Sequence, residues 1–328
     1  MPLSLRRGRV SAVVERLDEL VRLKVDDVPC IAYPHLTGPV EEGDEVLVNT
    51  QALELGLGSG GFHVLYVNLT RGLDLPAAPA AHVMALPYTP LQSAFRHGEE
   101  DGRLADDLAG MPVVCCSVHG QVAPACAGLG EGIRVAYLQL GGGALPVSLS
   151  DTVRTLKARG LVGVALAAAP CFDGDVDCVT PASALAWAKG QGYDVAVCAI
   201  GPGIVGTATA LGHGGLAAAD AANAASALGG SPVLVPRISH GDPRERHQGV
   251  SHHTRAALRL CLGNVTVAWP AGLVAPGWFQ RVTEIDVGGW EEACAGLPLS
   301  HMGRGPAEEP WFFAAAFAAG RLGRKLLG

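Results

Sequence analysis

Aromatic residues make up only 5% of the 328-residue chain, and charged residues only 17%. Global disorder is excluded, because the 49% of hydrophobic residues is ample for a sizeable core. Basic excess is also missing: the formal net charge is −7 and the pI is near 5.9. Neither nucleic acid nor an anionic membrane surface is therefore an expected partner. No apolar run reaches the ~18–20 residues that span a bilayer. The Ala-rich "LAAADAANAASALGG" is interrupted by Asp220 and Asn223 and reads as a helix with a tightly packed face. The opening "MPLSLRRGRVSAVV" has charges but no apolar core behind them, so no secretory signal is read there. The nine cysteines form no Cys-x-x-Cys pair, and several sit in apolar runs such as "VVCCSV" and "VAVCAI". Buried, reduced thiols and a cytoplasmic location are the expectation.

Glycine, at 44 residues, and alanine are abundant, and small side chains let helices and sheets approach closely. The chain reads in parts. Residues 1–75 carry short, partly alternating runs ("GRVSAVVERL", "LVRLKVDD", "PCIAYPHL", "DEVLVNT", "FHVLYVNL") divided by turn signals, which predicts a small antiparallel β sheet or barrel. Residues 76–110 read as linker and loop, the linker centred on "GLDLPAAPAAH" at 72–82. From residue 111 to 328, apolar runs without alternation ("MPVVCCSV", "RVAYLQL", "LVGVALAAA", "YDVAVCAI", "SPVLVPRI", "NVTVAWP") alternate with helical stretches. Strands buried on both faces between helices predict a Rossmann-like, doubly wound, mostly parallel α/β sheet. Ser150 and Ser251 are expected N-caps, and Gly160 and Gly263 expected helix stops.

Polar and glycine-rich oddities follow the predicted strands: His119 with Gln121, then "GGGALP", "PCFDGDVD", "GPGIVGT" and finally "RISHGDPRERHQGVSHHT". In an open parallel sheet these points share the carboxyl edge, where ligands bind. Gly201, Gly203 and Gly206 satisfy G-x-G-x-x-G between a predicted strand and helix, with Thr207 next to them. They suit the cradling of a phosphate or carboxylate, although the position, after the fourth strand, argues against a nicotinamide cofactor. A purely structural glycine turn is equally expected. Asp173, Asp175 and Asp177 alternate as in hard-cation loops, but the full calcium pattern is missing. Asp175 is a candidate base, and Asp173, Asp175 and Asp242 are candidate ligands for an optional divalent metal.

The last stretch, residues 237–254, holds His240, His247, His252 and His253 among eleven histidines, together with Asp242, Arg237, Arg244 and Arg246, and Arg255 follows. A unit positive charge ~4 Å from a cation costs roughly 4 kcal/mol at an effective dielectric near 20. Anion binding by Arg244 and Arg246 is thus favoured over metal coordination here. His252, His253 and His247 are the expected proton carriers, and His240 and His119 are expected ligand contacts. The plain alternative is a solvated loop with a few ion pairs, and for His119 a satisfied buried ring. Ser117, Ser150 and Thr207 are hydroxyl candidates, and Cys171 is a weak nucleophile candidate. No G-x-S-x-G elbow is present.

Together, "RVSAVVERLDELVRLKV", "RVAYLQLGGGALPVSLSDTVRTLKARGLV", "FDGD", "GPGIVGTATALGHGGL" and "ALGGSPVLVPRISHGDPRERHQGVSHHT" resemble the blocks of an uncharacterised bacterial domain-of-unknown-function family, family 3866. The resemblance implies no activity. The expected function is an enzyme acting on a phosphorylated or carboxylated small molecule. The alternatives are a non-catalytic sensor of a nucleotide-like or sugar-phosphate ligand, and a structural subunit of a homo-oligomer.

Overall fold

The computed structural model describes residues 3–56, 60–76, 81, 83–101, 103–279 and 281–328, and the chain divides into two compact units, 1–95 and 96–328. Part of the expected linker, residues 77–80 and 82, lies outside the described residues.

In the first unit, β1 (Leu5–Arg16), β2 (Val21–Val25), β3 (Val28–Ala32), β4 (Glu45–Asn49) and β5 (His63–Asn68) close a barrel in the order β1-β2-β3-β5-β4. One seam corrects the antiparallel expectation: β3 and β5 pair in parallel. The reason is topological. After β3 and the short α1 (Pro34–Thr37), β4 crosses to pair with β1, and β5 fills the remaining gap in the direction of β3. The order is that of a five-stranded Greek-key barrel. Its interior is filled by Val10, Leu23, Cys30, Val46, Val48 and Leu65. After α2 (Gln51–Glu54) and β5, a hairpin of β6 (Val83–Ala85) and β7 (Ser93–Phe95) occupies part of the stretch read as linker and loop.

The second unit is an eight-stranded, all-parallel sheet. Along the chain come β8 (Pro112–Cys115), β9 (Val135–Leu140), β10 (Val164–Ala168), β11 (Val176–Cys178), β12 (Val195–Ile200), β13 (Ser231–Leu234), the small pair β14 (Ile238–Ser239) and β15 (Gly249–Val250), then β16 (Thr266–Pro270) and β17 (Val282–Ile285). The order in space is β11-β10-β9-β12-β8-β13-β16-β17. Every residue of β8, β9, β10 and β12 is buried, the pattern of strands covered on both faces. Helices α3 (Val122–Leu129), α4 (Asp151–Ala158), α8 (Trp290–Ala293) and α9 (Pro310–Lys325) pack on one face. The other face carries α5 (Pro181–Gly190), α6 (Ala217–Ala227) and α7 (His252–Leu260). Ser150 and Ser251 cap α4 and α7 by accepting from Val153 N–H at 3.0 Å and His253 N–H at 3.2 Å. β11 and β17 had no sequence signal because they are short edge strands.

The chain leaves β8 for α3 on one face, and leaves β12 and β13 for α6 and α7 on the other. The carboxyl ends of β8, β12 and β13 therefore form a topological switch point, the usual ligand position in such sheets.

Glycine permits the closest helix contact. A Cβ built at Gly320 of α9 would land on the Ala125 carbonyl oxygen of α3, and one at Gly128 on the Phe317 carbonyl oxygen. Gly320→Ala is expected to destabilise by about 1–3 kcal/mol or more through overpacking. Urea denaturation measures this as a lower midpoint with unchanged slope.

Candidate functional site

The switch point is clamped by side chains that meet backbone. Gln121, fully buried, accepts from the N–H of Ser117 at 2.9 Å and donates to the Pro236 carbonyl at 3.2 Å, tying the end of β8 to that of β13. His119 does the same for β12 and α4. Its Nδ1 lies 3.1 Å from the Ile200 carbonyl, which only accepts, so Nδ1 carries the proton. Nε2 then accepts from the Ser150 hydroxyl at 2.8 Å, while Ser150 caps α4. Both ring nitrogens are satisfied, and burial lowers the pKa of His119 to about 4. The arrangement gives it a structural task.

The glycines of 201–206 serve loop packing. A Cβ at Gly201 would strike the Ala144 carbonyl, one at Gly143 the Gly201 carbonyl, and one at Gly142 would stand 2.7 Å from Gly214 Cα. Gly203 holds φ at +72°. The run does not open straight onto a helix as expected: Gly206 bridges back to His213, and α6 starts only at Ala217. Thr207 spends its hydroxyl on Thr209, at 2.8 Å, and on the Gly212 carbonyl, at 3.1 Å.

That bridge delivers His213 to the head of α7, where His252 and His253 project. The His213 ring stacks on His253 at 3.8 Å between centroids and meets His252 edge-on at 5.2 Å. His247 stands 4.9 Å from both His252 and His253 and bonds Ser251 Oγ at 2.7 Å. His213 Nε2 donates to the Ala210 carbonyl at 3.1 Å, which leaves Nδ1 as a bare acceptor. His213 Nδ1 and His252 Nε2 are buried and meet no hydrogen-bond partner among the described residues. His253 Nδ1 accepts from Arg237 Nη1 at 3.0 Å. Burial first, and the neighbouring arginines and histidines next, hold all four rings neutral. His252 falls to about 4, His247 to about 3, and His213 and His253 also move down.

Behind the rings lies a buried ionic network. Asp242, fully buried, accepts from Arg244 at 2.7 Å, Arg304 at 3.2 Å and Arg237 at 3.3 Å. Glu309 accepts from Ser239 at 2.6 Å and Arg304 at 2.8 Å. His301, stacked on Phe312 at 3.9 Å, accepts from Arg237 at 3.2 Å. Burial pushes the Asp242 carboxyl up, but Arg244 outweighs it and the group stays well below the usual carboxylate range. Burial lowers Arg237 to about 10. Arg244, expected to grip a ligand, is therefore engaged by Asp242. Arg246 and His240 are exposed.

The aspartates do not join the histidines. After β10 the chain doubles back, and Asp175 accepts from the N–H of Ala165, near the start of that strand, at 2.8 Å. Its other oxygen pairs with Lys157. Asp175 thus lies at the amino end of β10, opposite the switch point, which corrects its expected place on the ligand edge. Asp173 bonds Ser148, and Asp177 accepts from Gly174 N–H at 2.9 Å. Asp173, Asp175 and Asp242 do not converge on one cation. Cys171 is buried and its thiol is pushed up to about 12, the opposite of an activated nucleophile.

Sequence reasoning missed His213, Arg304, Glu309 and His301. "GHGG" at the end of the glycine-rich loop was the available signal for the first. The others precede α9, far from any strand end that draws attention.

A doubly wound parallel sheet with neutral, partly unpartnered imidazoles at its switch point defines an α/β protein with a built polar site. The chain belongs to the family described as "Protein of unknown function (DUF3866)", which matches residues 29–320, from β3 of the barrel into α9. No curated protein matches the chain. Among the described residues, no helix is long and apolar enough to cross a membrane.

Proposed function

We propose that the protein is an enzyme acting on a small phosphorylated or carboxylated molecule at the carboxyl ends of β8, β12 and β13. One observation carries this reading: His213 Nδ1 and His252 Nε2 are buried without partners at the switch point. An unsatisfied buried polar atom costs about 1–3 kcal/mol, so two on neighbouring rings favour a site kept ready for something that arrives. Neutral imidazoles accept protons, and the network behind them has three arginines against two carboxylates, a surplus that favours an anion. Arg246, exposed beside His247 in sequence and close enough to depress His252, is the guanidinium best suited to meet it. The cysteines are unpaired and mostly buried, which fits a reducing, cytoplasmic setting.

The test is a thermal-shift screen of inorganic phosphate, nucleotides and sugar phosphates, followed by product assays on each stabilising compound. Turnover that falls at least ~100-fold in His252→Ala is the expected result. Binding without turnover favours the sensor. Indifference to every ligand, together with a stable oligomer, favours the structural subunit.

A further inference from the structure

We infer that His213, His252 and His253 form a binding site for one divalent transition-metal ion of the zinc type. The inference rests on reading the switch point as the working site and names the cofactor of that site. Each residue offers one ring nitrogen, and the three nitrogens lie within 4.8 Å of one another. Zn–N bonds of ~2.0–2.1 Å in tetrahedral geometry place ligand nitrogens about 3.3 Å apart, so small ring rotations close the set.

Four further features fit an ion. First, His213 is 7% exposed, and its Nδ1 is buried with no hydrogen-bond partner among the described residues. Second, its Nε2–H is anchored on the Ala210 carbonyl, the kind of outer hydrogen bond that fixes the tautomer and orientation of a metal-binding histidine. Third, the wall opposite is glycine: a Cβ at Gly215 would stand 3.2 Å from His213 Nδ1 and 3.4 Å from His253 Nδ1. A side chain there would fill the space between two ligand atoms. Fourth, the donors are all imidazole. Asp242 is held by three arginines, and no aspartate or cysteine joins the three rings in the group of candidate ligands. Such a set selects zinc, cobalt, nickel or copper over magnesium and calcium.

Arg237 is the opposing feature, because its cation sits on the His253 Nδ1 lone pair. The carboxylate of Asp242, 3.3 Å from Arg237, offsets much of that charge. On metal entry Arg237 Nη1 yields the lone pair while Nη2 stays on Asp242. Three histidines then leave a fourth position open for water or substrate, the arrangement of catalytic rather than structural zinc sites.

The test is a titration of the full, chelator-stripped chain with cobalt(II). One ion per chain is expected, with visible d–d bands that zinc abolishes and magnesium does not. His213→Gln and His252→Gln should each weaken uptake by at least ~100-fold, more than loss of an outer hydrogen bond does. The metal-free melting temperature of His252→Gln should stay near that of the parent, because His252 Nε2 has no bond to lose; this variant carries the test even if His253→Gln, which frees Arg237, unfolds. No stoichiometric cobalt, or uptake that both variants leave unchanged, overturns the site. Phosphate that stabilises the metal-free protein but not His252→Ala, with no cobalt uptake, overturns the metal site and leaves the enzyme reading standing. Cobalt uptake lost in both variants, with no response to any anion, upholds the metal site and counts against the anionic substrate.

Discussion

Asp242→Ala is expected to lower the melting temperature by roughly 10 °C. Removing one partner of a buried ion pair costs about 3–5 kcal/mol, because the other charge is left uncompensated. Here three guanidiniums lose their common carboxylate, and one of them, Arg237, is only 2% exposed. A unit of this size loses about 2–4 °C per kcal/mol. Asp242→Asn should fall between, since it keeps an acceptor oxygen but no charge. Arg244→Ala should cost about 1 kcal/mol or less, because its side chain is 35% exposed and Asp242 keeps Arg237 and Arg304. Calorimetry of the three variants checks the order. An Asp242→Ala melt within a degree or two of the parent would show that the carboxylate does not organise the arginines.

Mild acid is expected to destabilise the protein well before its carboxylates titrate. Burial, as the leading cause, lowers His119 to about 4 and His301 to about 3, and Arg237 lowers His301 further. In the unfolded chain these rings take up protons below ~6.5. Between pH 6.5 and 4 the unfolded state therefore binds more protons, and stability falls as pH falls, by up to ~1.4 kcal/mol per pH unit for each ring. His252 and His247 add in the same sense. Several kcal/mol should be lost between pH 6.5 and 5. Asp242 and Glu309, whose pKa values are lowered, contribute stability that is lost only at lower pH. Melting curves from pH 7 to 5 provide the measurement, and a flat profile would mean that these rings are solvated and free to charge.

The layered sheet was legible because its strands announce themselves. "VAVCAI" is apolar at every position and "VAYLQL" at every position but Gln139, with none of the alternation of a half-exposed strand. The barrel was legible as strands, but its parallel β3–β5 seam was not, because pairing direction depends on the path of β4 and no local pattern encodes it. His252 and His253 stood out by density. His213 did not, since its partners lie about forty residues downstream and meet it only through the Gly206 bridge. Asp175 misled for the same kind of reason. A loop after a strand usually stays at that strand's end, but this one returns along β10 before β11 begins.

The backbone meeting of Gly142 with Gly214, and of Gly143 with Gly201, leaves no room for side chains between two loops. It constrains how this protein can vary. A residue larger than glycine at any of the four would wedge the loops apart and carry His213 with them, so these positions must drift together or not at all. The five residues from Thr207 to Leu211, by contrast, are all exposed. A mutational library aimed at changing selectivity while retaining the rings would randomise that projection and leave the glycine seam untouched.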